Sequence, residues 1–254
     1  MGAPAPLVVA LAPGVTAAFT TRAGGTGTAP YNTLNLALHV GDDDATVLAN
    51  RQRAAAALGV DAGRTAWAEQ VHGDGVAVVT EADAGRGATS HGDAFAGADG
   101  LVTEARGLPL AVLAADCVPV LLADPRRGLV AAVHAGRRGL AGGVLEVAVG
   151  TMLDLGAKRE DLVAAVGPSI GPCCYEVGDD VAAEVTAVLP VTRATTRAGR
   201  TALDLPGGVR HVLAREGVRR ATAVGGCTAH QPGTFFSHRR DGVTGRQAGI
   251  VWRS

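Results

Sequence analysis

Six short apolar runs punctuate the chain, at residues 7–11, 76–79, 110–114, 118–122, 129–133 and 163–166. Each has the length of a buried strand, and glycine, proline or aspartate punctuates the stretches between several of them. Longer segments with helical composition lie at 45–58, 143–155, 177–188 and 207–216. Asp43 or Asp44 is placed to cap the first, and Asp179 and Asp180 fall in the first turn of the third, where the helix dipole favours carboxylates. Residues 80–100, rich in Gly, Ala and Asp, read as a loop, and 191–200 as weakly structured. Strands and helices mix without strict alternation, and no GxGxxG follows the first strand, so a dinucleotide-binding unit is not indicated. No internal repeat or long linker divides the chain. The pattern predicts one mixed α/β domain spanning 1–254.

Composition agrees with a globular fold. Apolar residues make up 47% and charged residues 19% of the 254, and at 3% aromatics the core must be built largely from Ala, Val and Leu. The formal net charge of -1 provides no global basic field to attract nucleic acid or an anionic membrane. The opening MGAPAPLVVALAPGV lacks a basic n-region, and Pro13 breaks its apolar stretch, so it is a poor leader and too short to span a bilayer. Pro6 stands where myristoylation needs Ser or Thr. A cytoplasmic address is expected, with Cys117, Cys173, Cys174 and Cys227 as thiols. A bridge between adjacent Cys173 and Cys174 would strain the peptide joining them.

Candidate chemistry gathers in five segments. Gln70-Val-His72-Gly precedes the run at 76. Asp116-Cys117 separates two apolar runs, and a carboxylate there needs partners. The run ending in His134 continues as Ala-Gly-Arg137-Arg138-Gly, a glycine-rich turn carrying two arginines suited to an anion. The fourth segment is Gly-Pro-Ser-Ile-Gly-Pro-Cys173-Cys174-Tyr175-Glu176, a rigid turn or a cleft wall. The fifth runs from Cys227 to Arg246. Its Phe235-Phe236 pair and arginines either hold a base and a phosphate or pack as a C-terminal hairpin with Arg239 or Arg240 paired to Asp241. Taken singly, His72 reads as a surface or turn residue and Cys117 as a small buried hydrophobe. If His72, Cys117 and His134 converge, three protein ligands leave one position open on a zinc ion, as catalytic sites do.

These blocks, in order, resemble the YfiH or laccase-domain family of purine nucleoside phosphorylases, formerly labelled polyphenol oxidases. The resemblance is carried by Thr20-Thr-Arg22-Ala-Gly-Gly, Leu34-Asn35-Leu-Ala-Leu-His39-Val-Gly-Asp, QVHG, ADG, ADCVPVLLAD, VHAG, GPSIGPCCYEVG and FFSHRRDGVTGRQAG. It implies mixed β-sheets sandwiched between helices and a Zn2+ held by His72, Cys117 and His134. It implies phosphorolysis of adenosine, inosine and methylthioadenosine, deamination of adenosine, and a link to peptidoglycan editing. On this reading purine nucleosides and phosphate are the partners. Cys117, Asp116 and Glu176 are the catalytic candidates, and Arg22, Asn35, His39, Arg137 and Arg138 the substrate or phosphate contacts. Two positions depart from the family pattern: Arg137 replaces a usual Trp and His238 a usual Tyr.

Three rival readings remain at this level. Copper could replace zinc in a phenol oxidase, but seven histidines with no His-x-His pair fall short of a multicopper set. Cys117 with His134 as base could instead make a Cys-dependent hydrolase or amidase. A non-catalytic binding protein is the fourth reading, and it would turn over no nucleoside.

Overall fold

The computed structural model describes residues 2–254; Met1, at which both the leader reading and the span 1–254 begin, lies outside them. Its strands are β1 (Leu7–Ala12), β2 (Val15–Phe19), β3 (Ala66–Glu69), β4 (Val76–Val78), β5 (Phe95–Ala96), β6 (Gly100–Thr103) and β7 (Leu110–Ala114). They continue as β8 (Val118–Asp124), β9 (Leu129–Ala135), β10 (Val163–Val166), β11 (Arg193–Thr195), β12 (Thr201–Leu203), β13 (Arg220–Ala223) and β14 (Gln247–Arg253). The helices are α1 (Asp44–Leu58), α2 (Arg137–Gly142), α3 (Val144–Asp154), α4 (Asp179–Val188), α5 (Leu205–Arg215) and α6 (His238–Asp241). None of them is long and apolar enough to cross a membrane.

Two six-stranded sheets run β1-β2-β14-β7-β3-β5 and β13-β10-β8-β9-β6-β4, and β11 pairs with β12 apart from both. Both sheets are mixed. In the first, β7 is parallel to β3 but antiparallel to β14. In the second, β10 is parallel to β13 but antiparallel to β8.

Side chains alternate between three cores. On β8, Val118, Val120 and Leu122 join a core shared with α2, α3 and α5, whereas Leu121 and Ala123 join a core between the two sheets. On β7, Leu110 and Val112 enter the inter-sheet core, and Ala111 and Leu113 pack with Leu34, Leu36 and Ala54 of α1 on the outer side. The layers therefore run helix, sheet, sheet, helix, matching the expected sandwich. Because both faces of these strands are covered, β7, β8 and β9 read as continuous apolar runs.

The structure departs from the sequence expectations at several points. Arg137, Arg138 and Gly139, expected in a glycine-rich turn, open α2: Gly136 starts it and Gly143, at φ 95°, ends it and caps α3 in one residue. The stretch 191–200 contains β11, held by its register with β12. The expected helix at 177–188 starts at Asp179 because Gly178 is its N-cap, and Asp43 rather than Asp44 caps α1 by accepting from the Thr46 amide at 2.8 Å. The C-terminal segment is no hairpin. Arg240 and Asp241 do pair at 2.6 Å, but within the helical turn α6, which feeds the central strand β14. Phe235 and Phe236 are fully buried, so they serve packing and are not offered to a ligand.

Candidate active site

The antiparallel register Val118↔Ala135 places Cys117, just before β8, beside the end of β9, which carries His134. His72 arrives from the loop after β3. Its imidazole lies edge-on to that of His134, with ring centroids 4.8 Å apart. One ligand atom from each of His72, Cys117 and His134 lies within 4.8 Å of the others.

The loop is brought there by one side chain. Asp99, wholly buried just ahead of β6, accepts the amides of Val71, His72 and Gly73 at 3.1, 3.1 and 2.7 Å. Its Oδ1 also lies 2.7 Å from His134 Nδ1. That bond leaves His134 Nε2 as the free nitrogen, the arrangement in which a carboxylate orients a metal-ligating histidine. Burial pushes the Asp99 carboxyl up, but His134 and the loop amides outweigh it and hold the group below its ordinary range.

Charge is set up across the trio. Burial alone would raise the Cys117 thiol; the charge of His134 and hydrogen bonds from both imidazoles bring it down to about 6. Burial alone would lower His134; Cys117 and Asp99 raise it to about 9. The two shifts run in opposite directions and together favour a thiolate beside an imidazolium. The only non-glycine residues at positive φ among the described residues are His72 (61°) and Asp116 (95°), so both uncommon backbone conformations lie at this site.

The donor set suits a borderline ion such as zinc: one thiolate and two imidazoles, with a carboxylate behind one of them. The space among them is kept open by Gly136. A Cβ there would stand 2.8 Å from His72 Cδ2, 3.1 Å from Cys117 Sγ and 3.4 Å from His134 Cε1.

The trio opens into a cavity of about 500 Å³, within the range of small-molecule sites. Arg137, Arg138, Arg239 and Arg246 line it, with His39, Tyr175 and His238. None of the four arginines forms an ion pair among the described residues. Asp116 is the one carboxylate among the described residues lining the cavity. Its oxygens accept the Thr228 hydroxyl and the Arg239 amide, each at 2.6 Å. Burial, then His91 and nearby arginines, push His39 down to about 4, so it is neutral near pH 7.

Of the residues singled out in the sequence, His39, His72, Asp116, Cys117, His134, Arg137 and Arg138 meet at this cavity. Arg22, Asn35 and Glu176 do not line it. The Arg22 guanidinium donates to the Asn32 and Pro232 carbonyls and stacks over Phe236. Asn35 is fully buried and ties Asp42 to the Arg246 amide. Glu176 faces outward and pairs with Arg200 at 3.3 Å. Sequence reading did not single out Asp99, Tyr175, Arg239 or Arg246 for roles at this site. Arg239 and Arg246 lie within the run 227–246 marked for its arginines, and Asp99 lies in the ADG block of the family resemblance, with nothing in the sequence to give it a role. Both departures from the family pattern, Arg137 and His238, fall on the cavity wall.

Residues 16–254 match the family model described as multi-copper polyphenol oxidoreductase laccase. The chain is 48% identical over 233 residues to a purine nucleoside phosphorylase of Mycobacterium tuberculosis, covering 92% of this chain and 90% of that protein. It is 49% identical over 235 residues to one of Streptomyces griseus, covering 92% and 93%. Its fold is similar to that of YfiH from Bacillus licheniformis, at TM-score 0.93, 36% identity and coverage of 99% and 97%. It is likewise similar to that of YlmD from Geobacillus stearothermophilus, at TM-score 0.90, 40% identity and coverage of 94% and 92%.

Proposed function

The chain belongs to this laccase-domain family, and from that membership we propose that it is a purine nucleoside phosphorylase working in the cavity beside His72, Cys117 and His134. The observation that carries this reading is the meeting of a His/Cys/His ligand trio with four arginines free of carboxylate partners in one cavity of about 500 Å³. Relatives named purine nucleoside phosphorylase, at 48 and 49% identity over nearly the whole chain, support it. Adenosine, inosine and methylthioadenosine are the substrates in this reading, and deamination of adenosine is a second activity of the same pocket. Free thiols at all four cysteines fit a cytoplasmic address.

His72, Cys117 and His134 would hold the zinc, which when bound supplies Lewis-acid chemistry at its open coordination position. The arginines hold phosphate by charge-assisted bonds and set one of its oxygens against the ribose C1′. A C1′–O bond forms while the C1′–N9 bond breaks, and its electron pair leaves with the purine. As a carboxylate lining the cavity, Asp116 is the residue this reading assigns to proton transfer as the base departs. Neutral His39 can donate or accept a hydrogen bond without adding charge. Incubation with inosine and phosphate tests the reading: equal amounts of hypoxanthine and ribose 1-phosphate are expected, and free ribose in place of the sugar phosphate would replace phosphorolysis by hydrolysis.

One observation favours a second reading. Cys117, His134 and Asp99 also form a thiol, base and orienting carboxylate in sequence, the geometry of a Cys-dependent hydrolase or amidase. Zinc separates the two, because a thiolate held by the ion is withdrawn from nucleophilic attack.

A further inference from the structure

A second group of soft ligands lies away from the trio. Cys173 and Cys174 stand in the segment after β10, and Cys227 and His230 in the segment after β13. Those strands are parallel neighbours, Val163–Val166 beside Arg220–Ala223, so both segments leave the sheet at the same edge. An isolated parallel bridge between Ser169 and Cys227, one residue out of that register, keeps the two loops side by side. One ligand atom from each of the four residues lies within 4.8 Å of the others. His230 sets Nε2 3.1 Å from Cys174 Sγ and Nδ1 3.7 Å from Cys173 Sγ.

The local backbone is shaped as a ligand turn. Cys227-Thr-Ala-His230 has the two-residue ligand spacing found in structural zinc sites. It closes on itself, the His230 amide donating to the Cys227 carbonyl at 3.1 Å. From the other loop, the Gly171 amide donates to Cys227 Sγ at 3.3 Å, a contact that favours a charged sulfur. A disulfide accounts for the cluster less well, since any single bridge leaves one sulfur and the imidazole without a role.

We propose that Cys173, Cys174, Cys227 and His230 bind one zinc ion in a closed structural site that fastens two walls of the cavity together. Four protein ligands fill the tetrahedral coordination of zinc and leave no open position for substrate. The ion acts on the cavity through its neighbours in sequence. Cys174 adjoins Tyr175, which lines the cavity, and Cys227 adjoins Thr228, whose hydroxyl donates to Asp116. Arg240 ties the same turn to α6 through the Thr228 carbonyl at 2.7 Å. This site does not depend on the nucleoside reading and is separate from His72, Cys117 and His134.

The test is the zinc content of full-length protein purified under reducing conditions, with cobalt substitution to read thiolate-to-metal absorption. Wild type is expected to carry about two ions per chain, and Cys117→Ser and His230→Ala about one each. Retention of the trio's ion in His230→Ala reports that this variant is folded. His230→Cys is expected to keep the second ion, with the cobalt spectrum shifted toward four-thiolate character. If Cys117→Ser holds no zinc, or if mass mapping finds a disulfide among Cys173, Cys174 and Cys227 in the reduced preparation, the proposal is overturned.

Discussion

The carboxylate of Asp99 approaches His134 Nδ1 to 2.7 Å and with its other contacts takes three consecutive amides of the His72 loop. One buried side chain thus sets the imidazole on β9 and the loop that carries the second histidine. The two histidines are 62 residues apart in sequence and share no strand pairing, so the geometry of the trio depends on Asp99.

Replacing Asp99 should therefore weaken the metal site without touching a ligand. Asp99→Asn is expected to lower zinc affinity about 10- to 100-fold, the usual cost of losing the carboxylate behind a metal-bound histidine. Competition against a chromophoric chelator measures it. Unchanged affinity would mean that the loop and His134 are held by other contacts.

Gly136→Ala tests the space between the ligands. Alanine fits the backbone there, at φ -76° and ψ 170°, but its Cβ would meet His72 and Cys117. His72 is exposed and can turn away, so the variant is expected to lose the trio's zinc while its stability falls by only about 1 kcal/mol. Elemental analysis beside a denaturation curve checks both halves. Full zinc occupancy would show that the ion sits elsewhere.

Metal binding should be coupled to protons in a defined direction. Zinc needs a neutral imidazole and a thiolate. Against burial, Cys117 and Asp99 hold His134 up at about 9, so near neutral pH its proton must be displaced. Against burial, His134 and His72 bring Cys117 down to about 6, so its proton has already left. Zinc added at neutral pH to metal-free His230→Ala protein, in which the trio is the site left to fill, should release about one proton from this pair. The release should fade as pH rises through about 9 and increase as pH falls through about 6. Calorimetry in two buffers of different ionisation enthalpy reads the count, and no release at neutral pH would contradict the paired charges.

Arg137 lines the cavity and makes no ion pair among the described residues, so it is available to an anion. A charge-assisted hydrogen bond contributes about 1.5–3 kcal/mol, on the order of 10- to 100-fold in affinity. Arg137→Ala is expected to raise the KM for phosphate by that factor and leave zinc content unchanged. A KM for phosphate equal to that of wild type would assign the anion to the other arginines.

What the sequence made legible follows from which segments are self-sufficient. Apolar runs on doubly covered strands identified β7, β8 and β9. His72, Cys117 and His134 stood out because each adjoins such a run or a glycine turn. β13, with Arg220 and Thr222 on a half-exposed edge, carries no such signal, and β3, Ala66-Trp-Ala-Glu69, offers one Trp between alanines and ends in a carboxylate, so it makes no apolar run. α2 is hidden because Gly136, Gly139, Gly142 and Gly143 resemble turn residues, whereas Gly136 and Gly143 cap the helix and Gly139 admits the His72 loop: a Cβ on Gly139 would stand 2.5 Å from the Gly73 carbonyl oxygen. The role of Asp99, and the meeting of Cys173 and Cys174 with Cys227 and His230, depend on sheet order, which local pattern does not encode.

The central claim is tested most directly by phosphate-dependent base release from adenosine, inosine and methylthioadenosine, with wild type and Cys117→Ala assayed side by side and analysed for metal. The account predicts that wild type releases free base only when phosphate is present, and that Cys117→Ala loses both this activity and the ion of the trio. Zinc-loaded wild type that releases no base from any of the three nucleosides, and forms no inosine from adenosine, would contradict it.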